Sequence, residues 1–264
     1  MTSPVRPRAH RPLWPIVVLA VAVALVCALA AWRPWTSTSV PASGGVEDGV
    51  AAAIAPAPLV LPERARVLIF GDSWTYGSAA GRPTDGYAYV VSRDLGWDAV
   101  VDGIRGSGYL KPGLDGGAFG ERIAALDATL DPDLVIVQGS INDRRLYPAD
   151  YRAAVTAAWN ALADVYPRAQ FVILGPAPQV LPVERATALI DADLAELAGA
   201  RGWAYISPIV EQWITSRDYG WIIDTGAGKD HPTTAGHAYL AGRLADDIRR
   251  LKATTDAAGE APGQ

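Results

Sequence analysis

The chain is poor in several residues on which protein chemistry often depends. It holds one cysteine, one methionine, three phenylalanines and three histidines among 264 residues. A single cysteine, Cys27, excludes an intrachain disulfide and any metal site built on paired thiolates. A domain of roughly 200 residues buries enough apolar surface to do without disulfides, even outside the cytoplasm. No basic stripe runs through the body, and the formal net charge is -5, so a nucleic-acid partner is not expected. No Gly-x-Gly-x-x-Gly opens a helix after the first strand, which argues against a dinucleotide. No internal repeat is present.

What is there begins with an apolar segment. Arg6, Arg8 and Arg11 precede an uncharged run from Leu13 to Trp32. About 20 apolar residues suffice to span a bilayer as a helix. The basic flank predicts a cytoplasmic amino terminus, with Trp14, Trp32 and Trp35 at the interfaces. The run is either an uncleaved signal anchor or a signal peptide cut near Ala28-Leu29-Ala30, and its length favours the anchor. Val26 is too bulky for the residue before a lipidated Cys27. Residues 1–35 are therefore assigned to a tail and membrane segment, and 36–62, rich in Ser, Thr, Ala, Gly and Pro, to a flexible linker. The body spans 63–252 and lies outside the cytoplasm as a monomer, and 253–264 is a frayed tail.

Within the body, short apolar runs alternate with helical patterns. Strands are expected at Val67–Gly71, Trp97–Val101, Asp133–Gly139, Gln170–Gly175 and Trp203–Ile206. Helices are expected at Asp85–Leu95, Glu121–Leu130, Pro148–Val165, Val183–Ala200 and Thr233–Leu251. Such alternation calls for right-handed βαβ crossovers and a parallel sheet covered on both faces. The fold class is α/β: a three-layer α/β/α sandwich on a five-stranded, flavodoxin-like sheet. The third strand is the most apolar and is expected near the centre.

The first strand ends in Gly71-Asp72-Ser73. Ligands bind at the carboxyl ends of strands in open α/β sheets, so a serine there is a candidate nucleophile as well as a candidate helix cap. Serine needs a base, and only two histidines share the body with it. His231 lies on the loop before the last helix, free to lean over the sheet, whereas His237 lies within the helix start and suits a structural role. A developing oxyanion needs donors. Asn142 after the third strand, a backbone N–H at Gly106 in the glycine-crowded loop 102–117, and the N–H of Ser73 are candidates. Each, taken singly, also suits an ordinary turn or loop. Trp74, Tyr76, Tyr109, Trp213, Tyr219 and Trp221 are candidates to line an aromatic cleft or to fill the core. Arg144 and Arg145 suit a solvated surface pair better than an anion site.

The order of these blocks resembles the SGNH hydrolases, also known as GDSL-type esterases and lipases, over about Arg66–Leu251. The resemblance implies Ser73 as nucleophile, His231 as base, and Ser73, Gly106 and Asn142 as oxyanion donors, with Gly108 a rival for Gly106. It implies a serine esterase acting on small acyl esters of carbohydrate or lipid, without metal or organic cofactor. Two departures stand out. Ser140 replaces the glycine of the third block, and Gly228 stands three residues before His231, where the family carries the aspartate that orients the imidazole. Asp230 is the nearest replacement and Asp224 a second; a backbone carbonyl is the third. The absent acid also admits a ligand-binding module without turnover, and the same site could pass its acyl group to an alcohol as an O-acyltransferase. A nucleophile-elbow α/β-hydrolase fits less well, because Gly-Asp-Ser-Trp-Thr lacks its second glycine.

Overall fold

A computed structural model describes residues 56–139 and 141–259. The expected membrane segment and most of the linker lie outside the described residues. Among the described residues no helix is long and apolar enough to cross a membrane.

Five parallel strands form one sheet: β1 (Arg66–Gly71), β2 (Asp98–Gly103), β3 (Leu134–Gln138), β4 (Gln170–Leu174) and β5 (Ala204–Ile206). Their order is β2-β1-β3-β4-β5, which puts the apolar β3 at the centre as its composition requires. Val67 and Ile69 of β1 point to one face with Leu134, Ile136, Val172 and Leu174, and pack on helices α2 (Tyr87–Asp94) and α7 (Thr234–Gly259). Leu68 and Phe70 point to the other with Val135, Val137 and Ile173. They meet α3 (Phe119–Ile123), α4 (Tyr151–Val165) and α5 (Arg185–Gly199). The strict alternation along β1 is the period-two geometry of a strand covered twice.

Several boundaries differ from the sequence pattern. The expected helix Glu121–Leu130 is two pieces, α3 and a 3-10 turn at Ala128–Leu130 capped by Asp127. The body begins before residue 63: Leu59 is buried and its N–H reaches the Leu251 carbonyl at 3.0 Å. The amide of Gln170 then clamps both backbone groups of Val60 at 2.8 and 2.6 Å. Helix α7 runs on to Gly259.

Chain order reverses at β1, which lies between β2 and β3. The crevice above such a switch point is where this architecture holds ligands. The short helix α1 (Ser73–Tyr76) follows β1 there, and a 3-10 turn, Ile141–Arg145, follows β3. A small antiparallel pair closes the site from the far end of the chain: β6 (Ile223–Asp224), after helix α6 (Tyr219–Ile222), pairs with β7 (His231–Pro232).

Candidate active site

Ser73 opens α1, and Asp72 caps that helix. The Asp72 Oδ1 accepts the Trp74 N–H at 2.9 Å, which satisfies one of the donors a helix start leaves over. Asp72 is fully buried and its Oδ2 accepts from the Asn142 side chain at 3.3 Å. One carboxylate thus joins the turn after β1 to the turn after β3. It is a frame for the site and does not face the cleft.

His231 lies across the crevice from Ser73. Its Nε2 stands 2.8 Å from the Ser73 Oγ. Its Nδ1 faces two backbone carbonyls, Gly228 at 2.8 Å and Lys229 at 3.0 Å. Carbonyls only accept, so Nδ1 carries the hydrogen and Nε2 presents its lone pair to the serine hydroxyl. Two successive left-handed residues, Lys229 at φ 50° and Asp230 at φ 61°, turn those carbonyls onto the ring. Such conformations outside glycine cost about 1 kcal/mol or more each, and they persist where surrounding bonds over-determine them. Here the N–H of Asp230 bonds to the Asp224 carbonyl at 2.8 Å and that of Lys229 to the Gly226 carbonyl at 3.1 Å.

The acid expected at Asp230 does not hold the imidazole: among the described residues its carboxylate makes no hydrogen bond to the His231 ring. Asp224 accepts the Gly226 N–H and does not reach the ring either. Gly228 explains why no aspartate occupies the usual place. A Cβ there would stand 2.6 Å from the Asp224 Cβ and 2.8 Å from that of Ala79, closer than side-chain carbons approach.

The oxyanion candidates border the same cleft as Ser73 and His231. The N–H groups of Ser73 and Gly106 make no hydrogen bond among the described residues, whereas that of the rival Gly108 is engaged with the Lys111 carbonyl at 2.8 Å. The Asn142 amide donates to the Ser107 carbonyl at 2.9 Å, and its contact with Asp72 is the longer one. Gly108 has another reason to be glycine. A Cβ on it would lie 2.5 Å from the Asp143 carboxylate. That carboxylate is buried and accepts three consecutive N–H groups, from Tyr109 at 2.8 Å, Leu110 at 3.1 Å and Lys111 at 3.0 Å. The loop that carries Gly106 is therefore pinned to the turn that carries Asn142.

Sequence reasoning missed Arg122. It is buried beneath the site and donates to the carbonyls of Gly71 and Asp102, to the Ser107 hydroxyl and to the Asp102 carboxylate, each at 2.8 Å. Burial pulls its guanidinium below the ordinary value, against the pull of Asp102. Nothing in the spacing of a lone arginine on a short helix marks it for this role. His237 is structural, as its position suggested. Its Nδ1 accepts the Tyr87 N–H at 3.1 Å, so Nε2 donates to the Ser78 carbonyl at 3.0 Å. Burial pushes its pKa down to about 4, and it stays neutral.

The aromatic cleft is largely not formed. Trp74, Tyr109 and Trp213 are buried in the two cores, and Trp221 packs edge-on against Tyr239. Tyr76 alone of the six lines the open cleft of about 530 Å³ above Ser73.

A profile of the GDSL-like Lipase/Acylhydrolase family matches residues 69–239. The chain belongs to that family. As a GDSL-type protein it is a carboxylic ester hydrolase by kinship, and the matched stretch takes in β1, the glycine loop, the Asn142 turn and His231. A GDSL lipase of Mycobacterium tuberculosis is 29% identical over 198 residues, covering 71% of this chain and 84% of its own. Among solved structures, an aryl esterase of M. smegmatis superposes with a TM-score of 0.54 at 20% identity, over 71% of this chain and 99% of that one. A carbohydrate acetylesterase family member from Sinorhizobium meliloti gives 0.54 at 15%, over 72% and 99%. These two show the shared fold, which the sheet order and the helices on both faces already describe.

Proposed function

We propose that this GDSL-type hydrolase is a serine esterase that works through an acyl enzyme on Ser73. The observation that carries the reading is the 2.8 Å separation of His231 Nε2 and Ser73 Oγ, with Nδ1 held by carbonyls. In the reaction, Oγ attacks the ester carbonyl while Nε2 takes its proton. The carbonyl oxygen becomes an oxyanion among the N–H groups of Ser73 and Gly106 and the Asn142 amide, whose loose contact with Asp72 gives way. The imidazolium then protonates the leaving alcohol. Water, deprotonated by His231, releases the carboxylic acid and restores the serine.

The departure at Gly228, which favoured a binding module without turnover, loses its force in this reading. Orientation and tautomer are what the third member of a triad supplies, and the Gly228 and Lys229 carbonyls can supply both. They offer less stabilisation to the imidazolium than a carboxylate would. The relatives are described as lipase, aryl esterase and carbohydrate acetylesterase, so small acyl groups on carbohydrate or lipid are the proposed substrates. An open cleft of about 530 Å³ suits such a size. The arginines before Leu13 and the apolar run to Trp32 support a body tethered on the outer face of a membrane.

The test is hydrolysis of p-nitrophenyl acetate by the full chain beside Ser73→Ala and His231→Ala. We expect each variant to lose about 10³-fold or more in kcat with an unchanged circular-dichroism spectrum. Equal rates in all three would overturn the reading.

A further inference from the structure

The walls of the cleft carry charge of one sign. Around the space above Ser73 stand Arg105, Lys111 and Lys229. A second hollow of about 430 Å³ adjoins it through Lys111, Asn142 and Gln179, and is lined further by Arg144 and Arg145. Among the described residues no aspartate or glutamate lines either space. That is notable in a chain whose acidic residues outnumber its basic ones, 28 to 23. Two of the five cations are partly spent: Arg105 pairs with Asp115 and Arg144 with Glu184, each at 2.8 Å. Lys111, Arg145 and Lys229 make no ion pair among the described residues.

Lys111 is the best placed of the three. A Cβ on Gly106 would stand 3.8 Å from its Nζ, so the ammonium sits beside the backbone expected to bind the oxyanion. Its own backbone is fixed by the Asp143 carboxylate at 3.0 Å, which holds the base of the side chain in place at the junction of the two hollows. Arg145 lies beyond it on the turn that carries Asn142. A concave wall with three cations free of ion pairs among the described residues raises the local concentration of anions and holds one that enters. A neutral ester would gain nothing from it.

Resting on the serine-esterase reading, we infer that the substrate is an ester whose non-reacting part carries a carboxylate or phosphate, seated in the second hollow between Lys111 and Arg145. The oxyanion donors and the base handle the ester group. The cations hold the far end and so set which esters are cleaved.

The experiment compares 4-acetoxybenzoate with its neutral methyl ester, and 4-acetoxyphenyl phosphate with phenyl acetate, on the full chain at low salt. Binding is measured by calorimetry to Ser73→Ala, and kcat/KM on the parent. We expect each preferred anionic ester to bind at least tenfold more tightly than its neutral partner, with the preference shrinking at 0.5 M salt. Lys111→Gln with Arg145→Gln should remove the preference, Lys111→Arg should keep it, and the phosphate and carboxylate arms tell which anion fits. Equal or weaker binding of both anionic esters would overturn the inference, and so would a preference that survives the double substitution. Tighter anion binding without turnover by the parent would keep the anion seat and sink the esterase reading, and with it the claim that the ligand is a substrate; turnover without charge preference would keep the esterase reading and overturn the inference.

Discussion

In the proposed mechanism, Gly228 and Asp230 divide between them what one aspartate does in the usual family site. The first supplies a carbonyl because no side chain fits beside Asp224 and Ala79, and the second supplies a left-handed turn. Asn tolerates that backbone conformation about as well as Asp. Asp230→Asn should therefore keep kcat/KM for p-nitrophenyl acetate within about threefold, because the carboxylate does not hold the ring; a loss of a hundredfold would restore Asp230 as the acid. Gly228→Asp should not repair the triad. Its side chain collides with its neighbours, so we expect at least a tenfold fall in kcat together with a lower melting temperature. Asn142→Ala removes the donor that the proposed mechanism turns from Asp72 to the oxyanion, and should lower kcat by about 10²-fold with little change in KM. That Ser73, Asn142 and His231 meet at one cleft could be read from the sequence, because each stands in a short block with a fixed order. Arg122 could not, since its partners come from β1, β2 and the glycine loop, three stretches that only folding brings together.

The glycine-crowded loop illustrates how an element is decided by a distant one. Its composition suits a set of donors and also an ordinary loop. Asp143, on the turn after β3, holds residues 109–111 through three charge-assisted bonds. Hydrogen bonds to a charged acceptor contribute roughly 1.5–3 kcal/mol each, with partial loss when several are removed together. Asp143→Ala should cost about 3 kcal/mol or more in chemical denaturation and should lower kcat more than it raises KM, because the Gly106 N–H loses its position. Loss of stability without a change in kcat would separate the pin from the site. The regular elements were legible for a simpler reason. A strand buried on both faces, such as β3, needs an unbroken apolar run, and such runs are easily seen. The ends were less so: the N-cap at Asp127 and the docking of Leu59 depend on neighbours that periodicity does not report.

At the scale of the whole molecule, His237 ties the start of α7 to α2 and to the loop after the nucleophile. Burial has lowered its pKa from 6.5 in an open chain to about 4 in the fold. The unfolded chain thus binds the proton first as pH falls. The stability linked to this group is complete above pH 6.5 and is lost between there and about pH 4, by roughly 3 kcal/mol in all. Denaturation of the parent should weaken over that window, and His237→Gln should show a shallower fall; identical slopes would mean that the imidazole titrates normally. The sequence by itself determined the class of fold and the order of the four blocks, because βαβ alternation and short motifs are local patterns that leave few topologies open. It could not decide what orients His231, which glycine has a free N–H, or where the tryptophans go. Those depend on distances between segments far apart in the chain. The tertiary structure decided them by bringing the Gly228 carbonyl to the imidazole, the Asp143 carboxylate to the glycine loop, and Trp74 and Trp213 into the core on one face of the sheet.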